Sequence, residues 1–159
     1  MNKHSSTYIS PLGRIVITAE DDSLVGLCFS DEADLPYPRK ENTVIKETEK
    51  WLDAYFAGKN PAMNISCTAK GTLFQRMVWK IVQTIPYAGS MSYQEIGQQV
   101  CLLLGRKSMS AQAVGQAVAK NPILILIPCH RVLGKDGRPR GYRGGIERQR
   151  SLLRLEDHI

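Results

Sequence analysis

One stretch constrains this chain more than any other: Asn121-Pro-Ile-Leu-Ile-Leu-Ile-Pro-Cys-His-Arg-Val132. Its five consecutive apolar residues, Ile123 to Ile127, suffice for a buried strand and are too few to cross a membrane. Pro128 stops regular pairing, because it has no backbone N–H and fixes its own φ. A thiol, an imidazole and a guanidinium follow at once: Cys129, His130 and Arg131. A base and a cation beside a thiol both favour its thiolate, so Cys129 has the setting of an activated nucleophile. A packed structural cysteine beside a surface histidine would satisfy the same residues. The stretch alone leaves both readings open.

The charge is divided unevenly. Residues 1–68 carry 7 Lys+Arg against 10 Asp+Glu, a net of −3, and residues 69–159 carry 14 against 5, a net of +9. A basic half suggests a polyanionic partner, most simply nucleic acid, although basic domains without such a partner are common. The four cysteines lie far apart with no CxxC pair, which argues against a disulfide framework or a zinc ribbon. No cofactor and no metal are expected. The amino terminus leads straight into a strand pattern without the apolar core of a signal peptide, and no apolar run reaches membrane-spanning length. A cytoplasmic protein without a membrane partner is expected.

The pattern predicts an α/β (α+β) chain of two domains, 1–68 and 69–159. The first opens with three short strands, Tyr8–Ser10, Arg14–Ala19 and Leu24–Phe29, joined by tight turns into an antiparallel meander. A loop over 30–40 follows, then an amphipathic helix from Asn42 that ends near Gly58. The second domain is mostly helical. Thr72 and Gln75 form a capping-box pattern before a helix that Pro86 ends, and Ser92 can cap another over Tyr93–Val100. The connection Cys101–Lys107 looks long. Ser108 or Ser110 then starts a helix over Ala111–Ala119, with four alanines and a glycine in nine positions. A helix so short of bulk can bring its backbone close to a ligand, as in a helix-turn-helix, or can pack tightly inside a protein. Residues 133–145 hold five glycines and four positive charges, which suits a loop lying over a ligand and equally a flexible surface loop. A helix over Ile146–Leu155 closes the chain.

Asn121-Pro122, Ile127-Pro-Cys-His-Arg-Val132, Gly141-Tyr-Arg-Gly-Gly145, Leu152-Leu153 and Glu156 together resemble the O6-alkylguanine-DNA alkyltransferases, also called methylated-DNA–protein-cysteine methyltransferases. The similarity reaches upstream through Ala113-Val-Gly115 and Ser92-Tyr93, covering about residues 70–156 well and the amino-terminal third loosely. It implies a monomer that binds double-stranded DNA containing alkylated guanine through the minor groove. The protein flips the damaged base out of the stack and takes its O6 alkyl group irreversibly; O4-methylthymine would be a second substrate. Cys129 would be the acceptor, His130 its base through a bound water, Glu156 the residue that orients His130, and Asn121 a buried hinge. Tyr93, Tyr142, the backbone N–H of Arg143 and the carbonyls of Cys129 and Val132 would line the base pocket. Ser92, Ser110, Gln112, Ala113 and Arg131 would meet DNA. Gln112 stands where many relatives carry an arginine that fills the gap left by the flipped base. A non-enzymatic alkylated-base binder of the same fold, a helix-turn-helix transcription factor and a cysteine hydrolase are the competing readings. The first would replace the acceptor cysteine, which is present here as Cys129. The second would need a dimerisation or sensor module, and the third would bring its histidine from a distant part of the chain.

Overall fold

A computed structural model describes residues 2–32, 34–40 and 42–157. The chain divides into two compact units, Met1–Lys70 and Gly71–Ile159.

In the first unit, β1 (Lys3–Ser10), β2 (Gly13–Glu20) and β3 (Ser23–Phe29) form an antiparallel meander in the order β1-β2-β3. β1 starts five residues earlier than the alternation suggests. Its polar residues Ser5 and Thr18 of β2 are both buried and satisfy one another, hydroxyl to hydroxyl, at 3.1 Å. The helix α1 (Thr43–Phe56) starts where Asn42 accepts the N–H groups of Val44 and Ile45, at 2.8 and 3.2 Å. Its face of Val44, Ile45, Leu52 and Tyr55 is buried, as are Ile15, Ile17, Leu24 and Leu27 of the sheet.

The second unit holds α2 (Leu73–Val82), β4 (Met91–Ser92), α3 (Tyr93–Leu104), α4 (Ala111–Ala119), β5 (Val132–Leu133) and α5 (Ile146–Leu155). Capping boxes at Thr72/Gln75 and Ser92/Glu95 start α2 and α3. The α3–α4 pair is a helix-turn-helix, packed closely where Val114 comes within 3.4 Å of the Cβ position of Gly97. The Trp79 indole N–H donates to the Ala117 carbonyl at 2.8 Å, fixing α4 to α2. β4 and β5 pair in parallel, Met91 with Val132 and Ser92 with Leu133. None of the described helices is long and apolar enough to cross a membrane.

Two expectations are corrected. The Cys101–Lys107 connection is not a longer turn: Cys101–Leu104 add a turn to α3, which ends at Gly105 in the left-handed conformation (φ 68°). The apolar run Ile123–Ile127 is buried but is not a strand. It folds into consecutive turns, Ile125 adopts φ 69°, and Asn121 supplies the polar partners that a neighbouring strand would give. A β-branched residue at positive φ is strained, and such backbone is held only by its surroundings.

Candidate active site

Asn121 lies immediately after the residue that caps α4 and is fully buried. Its carbonyl oxygen Oδ1 accepts from the Ile123 N–H at 2.9 Å, and its Nδ2 donates to the Ile127 carbonyl at 2.8 Å and to Cys129 Sγ at 3.1 Å. A single amide thus shapes the turn and touches the thiol. Its backbone carbonyl in turn accepts from an Arg143 guanidinium N–H at 2.7 Å.

Cys129, His130 and Arg131 form one turn of 3-10 helix, all buried. Burial pushes the Cys129 thiol up to about 12, against the pull of the Asn121 hydrogen bond, the backbone N–H of Cys129 and the Arg143 charge. At rest the sulfur keeps its proton. His130 Nε2 lies 2.7 Å from Glu156 Oε2, with both side chains fully buried. Burial lowers the imidazole below its ordinary value and outweighs the opposing carboxylate, so the ring is neutral and can accept a proton.

Arg131, expected at DNA, is instead internal. Its Nε donates to Glu156 Oε1 at 2.8 Å, one terminal nitrogen to Oε2 at 3.2 Å, and the other to the Ile85 carbonyl at 2.8 Å. This fork neutralises the carboxylate that holds His130 and engages three of the five guanidinium N–H groups inside the protein. Ala88 N–H adds a further bond to Glu156 Oε1 at 3.1 Å.

The remaining expected residues fall in two groups. Tyr142 is buried edge-on to His130, ring centres 6.2 Å apart, and its hydroxyl makes no hydrogen bond among the described residues. Val132 is buried beside the turn. Tyr93 is partly exposed and its hydroxyl donates to the Arg140 carbonyl at 2.7 Å, joining α3 to the Gly/Arg loop. Ser92 and Ser110 are the N-caps of α3 and α4, while Gln112 and Ala113 sit on the first turn of α4, Gln112 exposed and Ala113 half-buried. Gln149 was not anticipated. Fully buried, it donates through Nε2 to the carbonyls of His130 and Val132, both at 3.2 Å. The signal was present in α5: Gln149, Leu152, Leu153 and Glu156 follow i, i+3, i+4, i+7 spacing on its inward face.

Among the described residues no cluster of His, Cys, Asp and Glu could hold a metal ion, and all four cysteines are free thiols. The arrangement is a buried sulfur, a neutral base oriented by a carboxylate, and a donor on the sulfur. That set can deprotonate a thiol and deliver it to an electrophilic carbon.

Residues 73–158 match the family description "6-O-methylguanine DNA methyltransferase, DNA binding domain", and residues 3–66 match "6-O-methylguanine DNA methyltransferase, ribonuclease-like domain". A methylated-DNA–protein-cysteine methyltransferase of Mycobacterium leprae is 39% identical over 98% of this chain and 93% of its own. The crystal structure of Mycobacterium tuberculosis O6-methylguanine methyltransferase superposes with a TM-score of 0.85 at 36% identity, covering 98% of this chain and 93% of that one. A second structure of the M. tuberculosis protein, in complex with DNA, gives 0.84 at 37% identity over 96% and 92% of the two chains. With both units matched and the thiol, imidazole and carboxylate assembled in one place, the chain belongs to the methylated-DNA–protein-cysteine methyltransferase family.

Proposed function

We propose that this chain repairs DNA by moving the O6 alkyl group of a damaged guanine onto Cys129, once per molecule. The observation that carries this reading is the contact of the Asn121 amide with Cys129 Sγ at 3.1 Å, beside the buried His130–Glu156 pair. Asn121 donates to the sulfur and so favours the thiolate, while neutral His130 takes the thiol proton directly or across one water. The sulfur attacks the alkyl carbon, the S–C bond forms, the C–O6 bond breaks, and guanine leaves with a proton. A thioether has no route back to thiol under these conditions, so the turnover is single.

Several features support the finer parts. Cys129 is only 2% exposed, so a base inside a stacked duplex cannot present its O-alkyl carbon in line; the nucleotide has to be flipped. The buried, unpartnered Tyr142 hydroxyl is a costly group to leave dry and a natural donor to such a base. The Arg143 backbone N–H faces O6 in this reading, and the Cys129 and Val132 carbonyls accept from the exocyclic amine. Ser92, Ser110, Gln112 and Ala113 meet the minor groove of double-stranded DNA. The protein acts as a monomer in the cytoplasm, where thiols stay reduced. O4-methylthymine presents the same O-alkyl group and is a second substrate.

Intact-mass measurement after incubation with duplex DNA containing O6-methylguanine tests the reading. One adduct of roughly 14 Da, a single CH₂ on an irreversible nucleophile, should map to Cys129. No adduct, or one on Cys28, Cys67 or Cys101, overturns it.

A further inference from the structure

The recognition helix α4, Ala111–Ala119, contains no charged residue. It nevertheless lies in a groove of about 1270 Å³ whose lining includes four cations and no carboxylate. The cations come from two places: Arg106 and Lys107 from the turn after the added end of α3, and Lys135 and Arg140 from the Gly/Arg loop. Gly105 in its left-handed conformation, with the Arg106 N–H bonded to the Cys101 carbonyl at 3.0 Å, fixes where that turn leaves the helix. Both Arg106 and Lys107 are exposed, and neither side chain forms an ion pair or side-chain hydrogen bond among the described residues. The added helical turn thus sets two unneutralised cations at the rim of the groove that holds Gln112. Complementing the negative end of α3 is a role that any cation there could fill. It does not account for their lining a groove free of acids.

We propose that Arg106 and Lys107 hold the phosphate backbone of bound DNA and supply, from the turn, the charge that the recognition helix lacks. The proposal rests on the DNA-repair reading above and adds a contact surface to it. Each phosphate neutralised releases counterions, so affinity falls with salt in proportion to the number of contacts.

The test is the salt dependence of binding to unmodified duplex. Arg106→Gln/Lys107→Gln should make the negative slope of log K against log salt shallower by about 1.8, two contacts at roughly 0.9 each, and weaken binding to all sequences alike. Arg76→Gln/Lys80→Gln removes the same two charge types from the exposed face of α2, outside the groove, and should change the slope far less. Unchanged melting temperatures would show that both variants fold. Equal slopes in the two double variants, or an unchanged slope in the first while the parent chain binds, overturn the role of the turn alone. A parent chain that binds no duplex overturns the repair reading and this proposal together.

Discussion

The Asn121 amide donates both to Cys129 Sγ and to the Ile127 carbonyl, and its oxygen accepts the Ile123 N–H. The same side chain therefore builds the turn and tunes the nucleophile, and two substitutions should separate these tasks. Asn121→Ala leaves the buried Ile123 N–H unpaired, while the Ile127 carbonyl keeps the Cys129 N–H at 2.7 Å, and should cost about 1–3 kcal/mol. Asn121→Asp keeps the acceptor for Ile123 but turns a carboxylate oxygen toward the sulfur, raising the thiol further. Denaturant melts and single-turnover repair rates would check this; an Asn121→Asp variant with the parent rate would refute the tuning role.

Repair should be flat through neutral pH and decline only in acid. Burial holds the His130 value below the usual 6.5, so the basic form persists down to that lowered value. The same shift affects stability. The unfolded chain takes up the His130 proton below about pH 6.5 while the folded chain does not, so stability falls from there until pH reaches the folded-state value. Rate and melting profiles between pH 4.5 and 8 would show both. A repair rate that halves above pH 7 contradicts a neutral buried base.

With no DNA present, iodoacetamide should label Cys129 slowly at neutral pH, the rate rising about tenfold per unit up to pH 10. This follows from a thiol pushed up to about 12. A plateau by pH 8 would show that the resting sulfur is already a thiolate.

Removing Arg131 should damage the fold rather than the grip on DNA. Arg131→Met leaves the Glu156 carboxylate buried with one charged partner gone, at a cost of about 3–5 kcal/mol. Arg131→Lys should rescue little, because an ammonium cannot reproduce the two-pronged contact. Thermal melts beside DNA titrations of the folded fraction would tell the two roles apart, and a folded Arg131→Met variant with weakened binding would return Arg131 to the DNA surface.

Gly141 has φ 73°, and a Cβ there would lie 2.6 Å from the Tyr93 hydroxyl. Gly141→Ala should therefore cost less in a Tyr93→Phe background than alone, with a coupling of about 1 kcal/mol in a double-mutant cycle. Additive effects would mean that only the backbone strain matters.

Much of this was legible before any coordinates. Small side chains and an Asn-Pro stop delimited α4, and an amphipathic period delimited α5. The thiol and imidazole are adjacent in sequence, so no topology was needed to join them. The buried turn at Ile123–Ile127 was not legible, because hydropathy records burial and is silent on whether a strand or the Asn121 side chain satisfies the backbone. The added turn of α3 was hidden by Leu102 and Leu103, which are 83% and 64% exposed and break the amphipathic pattern. Gly105 was the usable signal there. Arg131 misled because an arginine in a basic half reads as a phosphate contact until its distance from Glu156 is known.

The two-residue pairing of β4 with β5 sets a mechanical tolerance for the whole unit. Ser92, paired with Leu133, starts the first helix of the DNA-binding motif, while Met91 pairs with Val132, which directly follows the nucleophile's turn. Were that register to slip by one residue, the sulfur would move about 3.3 Å relative to the helices, and the side chains would change faces. In-line transfer tolerates far less, since an error of about 1 Å can cost on the order of a hundredfold in rate. Four residues thus act as the gauge block between the surface that finds a lesion and the atom that removes it, setting by backbone spacing an alignment that the Asn121 side chain then holds at the turn.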